Sequence, residues 1–256
     1  MPFVFVDPSR PARRARARYG PPMANLELIE LYPSPFSERV RWALERKGVP
    51  YRRTSYVPVA GEDEHRRKTG IATAPVLLAD GEVIGDSDHA VEWLEAKHPA
   101  PALVPSDPRR RAQVRAWELL AAEVLTPAAR LVMIGRFREL NIQPLADHFT
   151  IKYHWSEPEQ ARVDRMLHSF LPDLAAAVAS SPHLVGDEFT RADLTVAAML
   201  IPILGLPPAE LFSIDEGMRQ MFGSPMAAEP ALAPLHEWRN RIYREHRGGR
   251  VEPAAA

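Results

Sequence analysis

The rhythm of apolar and polar positions changes twice along the chain. Leu26–Tyr32, LELIELY, interleaves apolar and acidic residues at the two-residue spacing of a strand. The next run, PFSERVRWALERKG, places Val40, Ala43 and Leu44 on one face at helical spacing, and Gly48 follows as a helix stop. Val49–Val57 then reads as a second strand. A helix between two strands predicts parallel pairing, a βαβ unit. The polar stretch AGEDEHRRKTG is expected to hold a short or irregular helix. After it, APVLLADGEVIGDS gives two short strands around Asp80 and Gly81, a two-residue hairpin signal. DSDHAVEWLEAKHP carries Ala90, Val91, Trp93 and Leu94 at helical spacing and ends before Pro99.

Beyond the proline-rich APALVPSDP no strand pattern persists. RRRAQVRAWELLAAEVLTPAARLVMIGRF predicts a long amphipathic helix kinked at Pro127. SEPEQARVDRMLHSFLPDLAAAVASS predicts a helix pair or one kinked helix, TRADLTVAAMLIPIL a buried helix, and EPALAPLHEWRNRIYREH a closing one. Between the first two lies FRELNIQPLADHFTIKYHWSEPEQ, whose Phe149, Tyr153, His154 and Trp155 read either as the lining of a specialised site or as a packed connector. The expected organisation is a disordered basic tail (1–24), an α/β domain (25–99), a linker (100–106) and an all-helical domain (107–250).

Composition removes several kinds of chemistry. The chain of 256 residues has no cysteine, which excludes disulfides, thiolate metal sites and a cysteine nucleophile. Its nine histidines are scattered without an HExxH spacing, so no metal site is expected. Net charge is −1, which gives no overall bias toward nucleic acid or an anionic membrane. Arg10, Arg13, Arg14, Arg16 and Arg18 are confined to the tail, and the rest of the sequence has no basic face, so no nucleic-acid partner is expected. No apolar run approaches the ~18 residues of a membrane span. These features fit a cytoplasmic protein with no membrane partner.

Three local signals remain. Ser34-Pro35-Phe36-Ser37 sits at a strand-to-helix junction. Pro35 suits the first helical position and makes Ser34 the N-cap. The same geometry lets Ser34 serve a ligand thiolate, because a helix start has spare N–H groups and partial positive charge. Pro75 opens a strand, either as a simple first-residue proline or as a cis-proline that presents backbone groups to a ligand. Asp86 and Ser87 open the following helix. Either caps it, and together they suit an amino-acid zwitterion.

In this order and spacing the residues resemble the glutathione transferase superfamily. SPFSERVRWALERKGVPY is similar to the opening helix of its serine and cysteine classes. APVLLADGEVIGDSDHAVEWLE resembles the stretch from its cis-proline to its acid-serine pair. LVGDEFTRADLTVAAML resembles the capping box of its helical domain, with Thr190 and Asp193 as reciprocal caps.

The resemblance implies an α/β thioredoxin-like N-terminal domain that binds glutathione, and an all-α C-terminal domain that supplies most of the second pocket. It implies Ser34 as the catalytic hydroxyl that activates the glutathione thiol, with Tyr32 as runner-up and Ser37 left to capping. Ala74, Pro75 and Val76 would meet the cysteinyl part, and Asp86 and Ser87 the γ-glutamyl end. Phe36, Trp117, Met133 and Phe137 are the pocket candidates for a small electrophile. The implied co-substrate is glutathione without a metal, and the implied assembly is a homodimer. Two positions depart from the family pattern. Asp86 stands where glutamate or glutamine is usual, and no lysine precedes Pro75 at the place some classes use for the glycyl carboxylate, leaving Lys68, Arg67 and Arg39 as substitutes. These departures motivate an alternative, a non-catalytic binding or dimerisation module of the same fold.

Overall fold

The computed structural model describes residues 26–251, so the basic tail expected over 1–24 lies outside the described residues. The first half runs β1 (Leu26–Glu30), α1 (Pro35–Arg46), β2 (Arg52–Ser55), α2 (Glu62–Thr69), β3 (Val76–Ala79), β4 (Glu82–Gly85) and α3 (Ser87–Lys97). The sheet order is β2-β1-β3-β4. β1 and β2 are parallel, as a helical crossover requires, and the other pairings are antiparallel. Asp80 and Gly81 both take positive φ, 50° and 91°, the signature of the tight hairpin turn. Gly48, at φ 64°, ends α1.

The two faces of the sheet separate by strand alternation. Leu28 and Leu77 join the core of Val40, Leu44, Val91 and Leu94 beneath α1 and α3. Ile29 and Val76 pack with Tyr56, whose ring meets His65 of α2 at 4.8 Å. The acids of LELIELY do not face water. Glu27 is 6% exposed and Glu30 is fully buried. Glu27 is held by Arg52 at 2.5 Å and Lys68 at 2.7 Å, and Glu30 by Arg41 at 2.5 Å and by Arg53.

α1 departs further from its sequence pattern. Glu38, Arg39 and Arg41 are buried along with its apolar residues. The helix is enclosed because it packs against both α3 and the second half of the chain. Buried charge persists only when paired, and each of these side chains is. Arg39 meets Asp88 at 2.5 Å and Glu118 at 3.2 Å, and donates to the Thr195 hydroxyl at 2.9 Å. Glu38 lies between Arg41 and Arg247.

The second half is helical: α4 (Pro108–Leu120), α5 (Thr126–Glu139), α6 (Gln143–Tyr153), α7 (Glu157–Ala179), α8 (Arg191–Met199), the short α9 (Ile201–Leu204) and α10 (Glu216–Arg219), and α11 (Ala233–His246). The expected kink at Pro127 takes the form of a π turn, Ala121–Leu125, just before it. Proline has no N–H for the carbonyl four residues back and crowds it, and a widened turn accommodates both. Residues 157–179 form one helix with Pro172 inside. At the start of α8 Asp193 accepts from the Thr190 N–H at 2.8 Å and from its hydroxyl at 3.0 Å. Val251 pairs with Phe212, while Arg247 reaches Glu38 at 2.7 Å, so the end of the described chain is tied to α1. No helix among the described residues is long and apolar enough to cross a membrane.

Candidate functional site

Strand register gathers the three sequence signals at one end of the sheet. Ile29 pairs with Val76, and Val76 with Gly85. The exit of β1 toward Ser34, the entry of β3 from Ala74 and Pro75, and the exit of β4 into Asp86 and Ser87 therefore lie side by side.

Leu31–Ser34 forms a turn closed by the Ser34 N–H on the Leu31 carbonyl at 2.8 Å, with a cis Tyr32–Pro33 bond. Ser34 is the N-cap of α1 by position, yet its side chain makes no cap hydrogen bond. The simple capping role read from sequence is thus not the one its hydroxyl plays. Ser37 also does not cap. Its hydroxyl accepts from the Leu31 N–H at 3.1 Å and fastens the first turn of α1 to the end of β1. Of the two serines one is engaged and the other is left open. Ser37→Ala should therefore cost about 1–2 kcal/mol of stability in chemical denaturation, because the Leu31 N–H loses its acceptor.

The Ala74–Pro75 bond is cis. Ala74 is half-buried, and Pro75 and Val76 are buried. Asp86 holds φ 73° and ψ 136°, a conformation costly for any residue with a Cβ. Its carboxylate accepts from the Asp88 N–H at 2.7 Å and caps α3. One carboxylate oxygen performs the cap, and the residue stays exposed. Ser87 is 4% exposed.

Tyr32, the runner-up for thiol activation, is engaged elsewhere. Its phenol donates to the Ser213 carbonyl and its ring stacks on Phe212 at 5.5 Å. Burial pushes the phenol well above its ordinary range, so it stays a protonated packing group. The three cations considered for a glycyl carboxylate are also placed otherwise. Arg39 is buried among Asp88, Glu118 and Thr195. Lys68 pairs with Glu27, and Arg67 donates to the Asp63 carbonyl at 3.3 Å on an exposed helix face.

The helical half contributes a wall that the sequence left ambiguous. Phe137 stacks on Phe149 at 6.0 Å, and Phe149 on Tyr153 at 5.7 Å. Arg130 lies 4.8 Å over Tyr153 and 5.4 Å over Phe36. This ladder joins α5 and α6 to the first turn of α1. Lys152, beside Tyr153, donates to the Ala72 carbonyl at 2.9 Å, two residues before Ala74. Residues 143–153 are thus a helix packed on α5, with Lys152 reaching Ala72. Trp155 and His154 belong to the connection beyond it: Trp155 lies under Arg138 at 4.1 Å, and His154 ends α6 at φ 54°. Trp117 packs against Val114, Val185 and Ala192 at the α4–α8 contact. Phe137 is buried at the base of the ladder, and Met133 is half-buried on α5. Arg130 and Lys152 escaped the sequence reading because nothing local marks a basic residue whose neighbours come from another part of the chain.

A cleft of about 720 Å³ lies at the opposite end of the sheet, with Tyr51, Arg52, Lys68 and Val83 in its walls, away from the residues above. Among the described residues no group of three or more histidines and acids is placed to hold a metal ion.

Residues 28–102 match the family profile described as glutathione S-transferase, N-terminal domain. Maleylacetoacetate isomerase of Rattus norvegicus is 29% identical over 196 residues, 73% of this chain and 80% of that enzyme. Maleylacetoacetate isomerase of Pseudomonas aeruginosa is 31% identical over 120 residues, 44% of this chain and 57% of that enzyme, so the match spans less than two thirds of that relative. A solved glutathione S-transferase of Methylobacterium radiotolerans, in complex with glutathione sulfonate, superposes with a TM-score of 0.59 at 24% identity over 91% of this chain and 98% of that one. The likeness to it is one of fold: a thioredoxin-like α/β half followed by a helical half.

Proposed function

We propose that this chain, which belongs to the glutathione S-transferase superfamily, is an enzyme that uses the glutathione thiolate on a small electrophile. The observation that carries the reading is the Ser34 hydroxyl, which stands at the start of α1 without a cap hydrogen bond.

The residues present fit the tripeptide. Neither the Ser34 nor the Ser87 hydroxyl has a hydrogen-bond partner among the described residues, and α1 and α3 both begin at this end of the sheet. Glutathione, when bound, supplies the nucleophilic sulfur. Ser34 donates its hydroxyl proton in a hydrogen bond to that sulfur and favours the ionised form. The start of α1 adds partial positive charge. Glu38 in the same turn does not oppose it, because Arg41 and Arg247 hold its carboxylate. Ala74 and Val76 present backbone groups to the cysteinyl part. Ser87 and the start of α3 receive the γ-glutamyl carboxylate, and Asp86 its ammonium. Lys152, which donates to the Ala72 carbonyl at 2.9 Å and pairs with Glu62 at 3.2 Å, has one ammonium N–H left to offer the glycyl carboxylate.

The shorter Asp86 combines helix cap and charge in one side chain. Asp86→Asn keeps the cap, since asparagine caps as well as aspartate, and removes the charge. It should weaken glutathione binding several-fold in calorimetry and leave the melting temperature unchanged.

Within this class the isomerase relatives favour reversible addition of the thiolate to an activated double bond over net conjugation. The two differ in stoichiometry. Isomerisation of a cis-enedione consumes no glutathione, and conjugation consumes one molecule per product. Calorimetry with glutathione, followed by product analysis with a cis-enedione and with an aryl halide, tests the proposal. Binding with turnover of either supports it, and the glutathione count assigns the reaction. Binding without turnover would leave the non-catalytic module in its place.

A further inference from the structure

The segment that leads into Pro75 is held by side chains rather than by a ladder. Ala72, Thr73 and Ala74 make no backbone–backbone hydrogen bond among the described residues, since the pairing of β3 with β1 begins at Val76. The Thr69 hydroxyl accepts from the Ile71 N–H at 3.1 Å. Lys152 donates to the Ala72 carbonyl at 2.9 Å, and His65 Nε2 meets the Thr73 carbonyl at 2.9 Å. Ile71, Ala72 and Thr73 are thus each fixed by a side chain, two from α2 and one from α6.

His65 is 5% exposed, and its ring lies 4.8 Å from that of Tyr56. A carbonyl only accepts, so Nε2 carries the proton. Nδ1 is buried without a hydrogen-bond partner among the described residues. The ring therefore makes one hydrogen bond, to the residue before Ala74. An apolar side chain would fill the same space against Tyr56, so packing alone does not call for an imidazole. The Thr73–Ala74 peptide is planar and trans, and its C=O and N–H point in opposite directions. With the Thr73 carbonyl turned to His65, the Ala74 N–H is turned away from α2. That N–H has no hydrogen-bond partner among the described residues, and it belongs to the residue read above as a contact of the cysteinyl part.

We propose that His65 is a positioning residue: by holding the Thr73 carbonyl it sets the Ala74 N–H for the cysteinyl carbonyl of glutathione, and so places the sulfur beside Ser34. The inference rests on the glutathione reading above, and its test separates the two. Lys152 is a poor probe, because its ammonium is also offered to the glycyl carboxylate, whereas neutral His65 has no N–H beyond the one given to Thr73. His65→Phe keeps a ring against Tyr56 and removes that N–H. His65→Gln restores an N–H at nearly the same reach. Glutathione affinity is measured by calorimetry, and ionisation of the bound thiol by ultraviolet absorbance, in wild type and both variants. His65→Phe should bind glutathione about ten-fold more weakly, the equivalent of one hydrogen bond lost, and its bound thiol should ionise at higher pH than in wild type. His65→Gln should recover most of both. Wild-type affinity and ionisation in folded His65→Phe would overturn this inference alone. Equal losses in the two variants would also overturn it, by assigning the effect to ring packing. Nitrogen NMR of the wild-type imidazole needs no variant: the proton should sit on Nε2, and a proton on Nδ1 alone would overturn the proposal even if His65→Phe does not fold. Failure of wild type to bind glutathione at all would remove the underlying reading and the inference with it.

Discussion

Replacement of Ser34 by alanine should lower turnover at pH 7 by at least about ten-fold and shift unfolding stability by no more than about 0.5 kcal/mol. The two halves of this expectation come from one observation. The Ser34 hydroxyl makes no cap hydrogen bond, so its removal leaves no backbone amide newly unpaired. Its effect must then appear in chemistry. A cysteine thiol with the ordinary pKa of about 8.5 is roughly 3% ionised at pH 7, and one two units lower is roughly three quarters ionised, about a 25-fold gain. The defect of Ser34→Ala should accordingly fade toward parity near about pH 9, where the free thiol also ionises. A defect constant with pH would point to misplacement of the substrate. Steady-state rates across this range, beside urea unfolding of both proteins, check the expectation.

The largest loss of stability should come from Arg41→Met. Arg41 is 1% exposed between Glu30 and Glu38, both fully buried. Methionine fills the volume but leaves two buried carboxylates sharing fewer cations. Breaking a buried pair from one side costs about 3–5 kcal/mol, and chemical denaturation should show a loss of that size. The pH response gives an independent signature. Burial pushes the Glu38 carboxyl up, but Arg247 and Arg41 outweigh it and hold the group below its ordinary 4.5. A carboxyl depressed in the folded state contributes stability above its unfolded pKa, and that stability is lost as pH falls through the folded value. In Arg41→Met the carboxyl loses one of its cations, its folded pKa rises, and acid unfolding should begin at higher pH than in wild type. An unchanged acid midpoint would mean that Arg53 and Arg247 alone carry the network.

Local pattern explains which parts of the fold were legible in the sequence. The strands, α1, α3 and the hairpin follow from apolar spacing, Gly48 and the Asp80-Gly81 pair, all features read within a few residues. The same holds for the site's first three elements, because strand register alone brings Ser34, Ala74–Val76 and Asp86–Ser87 to one edge. What the pattern could not carry was pairing at a distance. Glu38, Arg39 and Arg41 lie outside the apolar set of Val40, Ala43 and Leu44, yet all are buried, since partners such as Arg247 lie as far as 209 residues away. The division of labour in SPFS was equally hidden: whether a serine caps, braces a strand or stays open depends on where Leu31 ends. Arg130 and Tyr153 meet Phe36 of α1, and Lys152 meets Ala72, only because α5 and α6 fold back against the first half of the chain. No local signal in FRELNIQPLADHFTIKYHWSEPEQ separates the wall residues Phe149 and Tyr153 from the connecting His154 and Trp155.

The central claim is that Ser34 stabilises the thiolate of bound glutathione, and the direct measurement is the ultraviolet absorbance of that thiolate against pH in wild type and in Ser34→Ala. The account predicts a bound thiol that ionises well below the free thiol's value of about 8.5 in wild type, with the shift lost in the variant while glutathione still binds. A bound thiol with an unshifted pKa in wild type, or a shift that survives in Ser34→Ala, would contradict it.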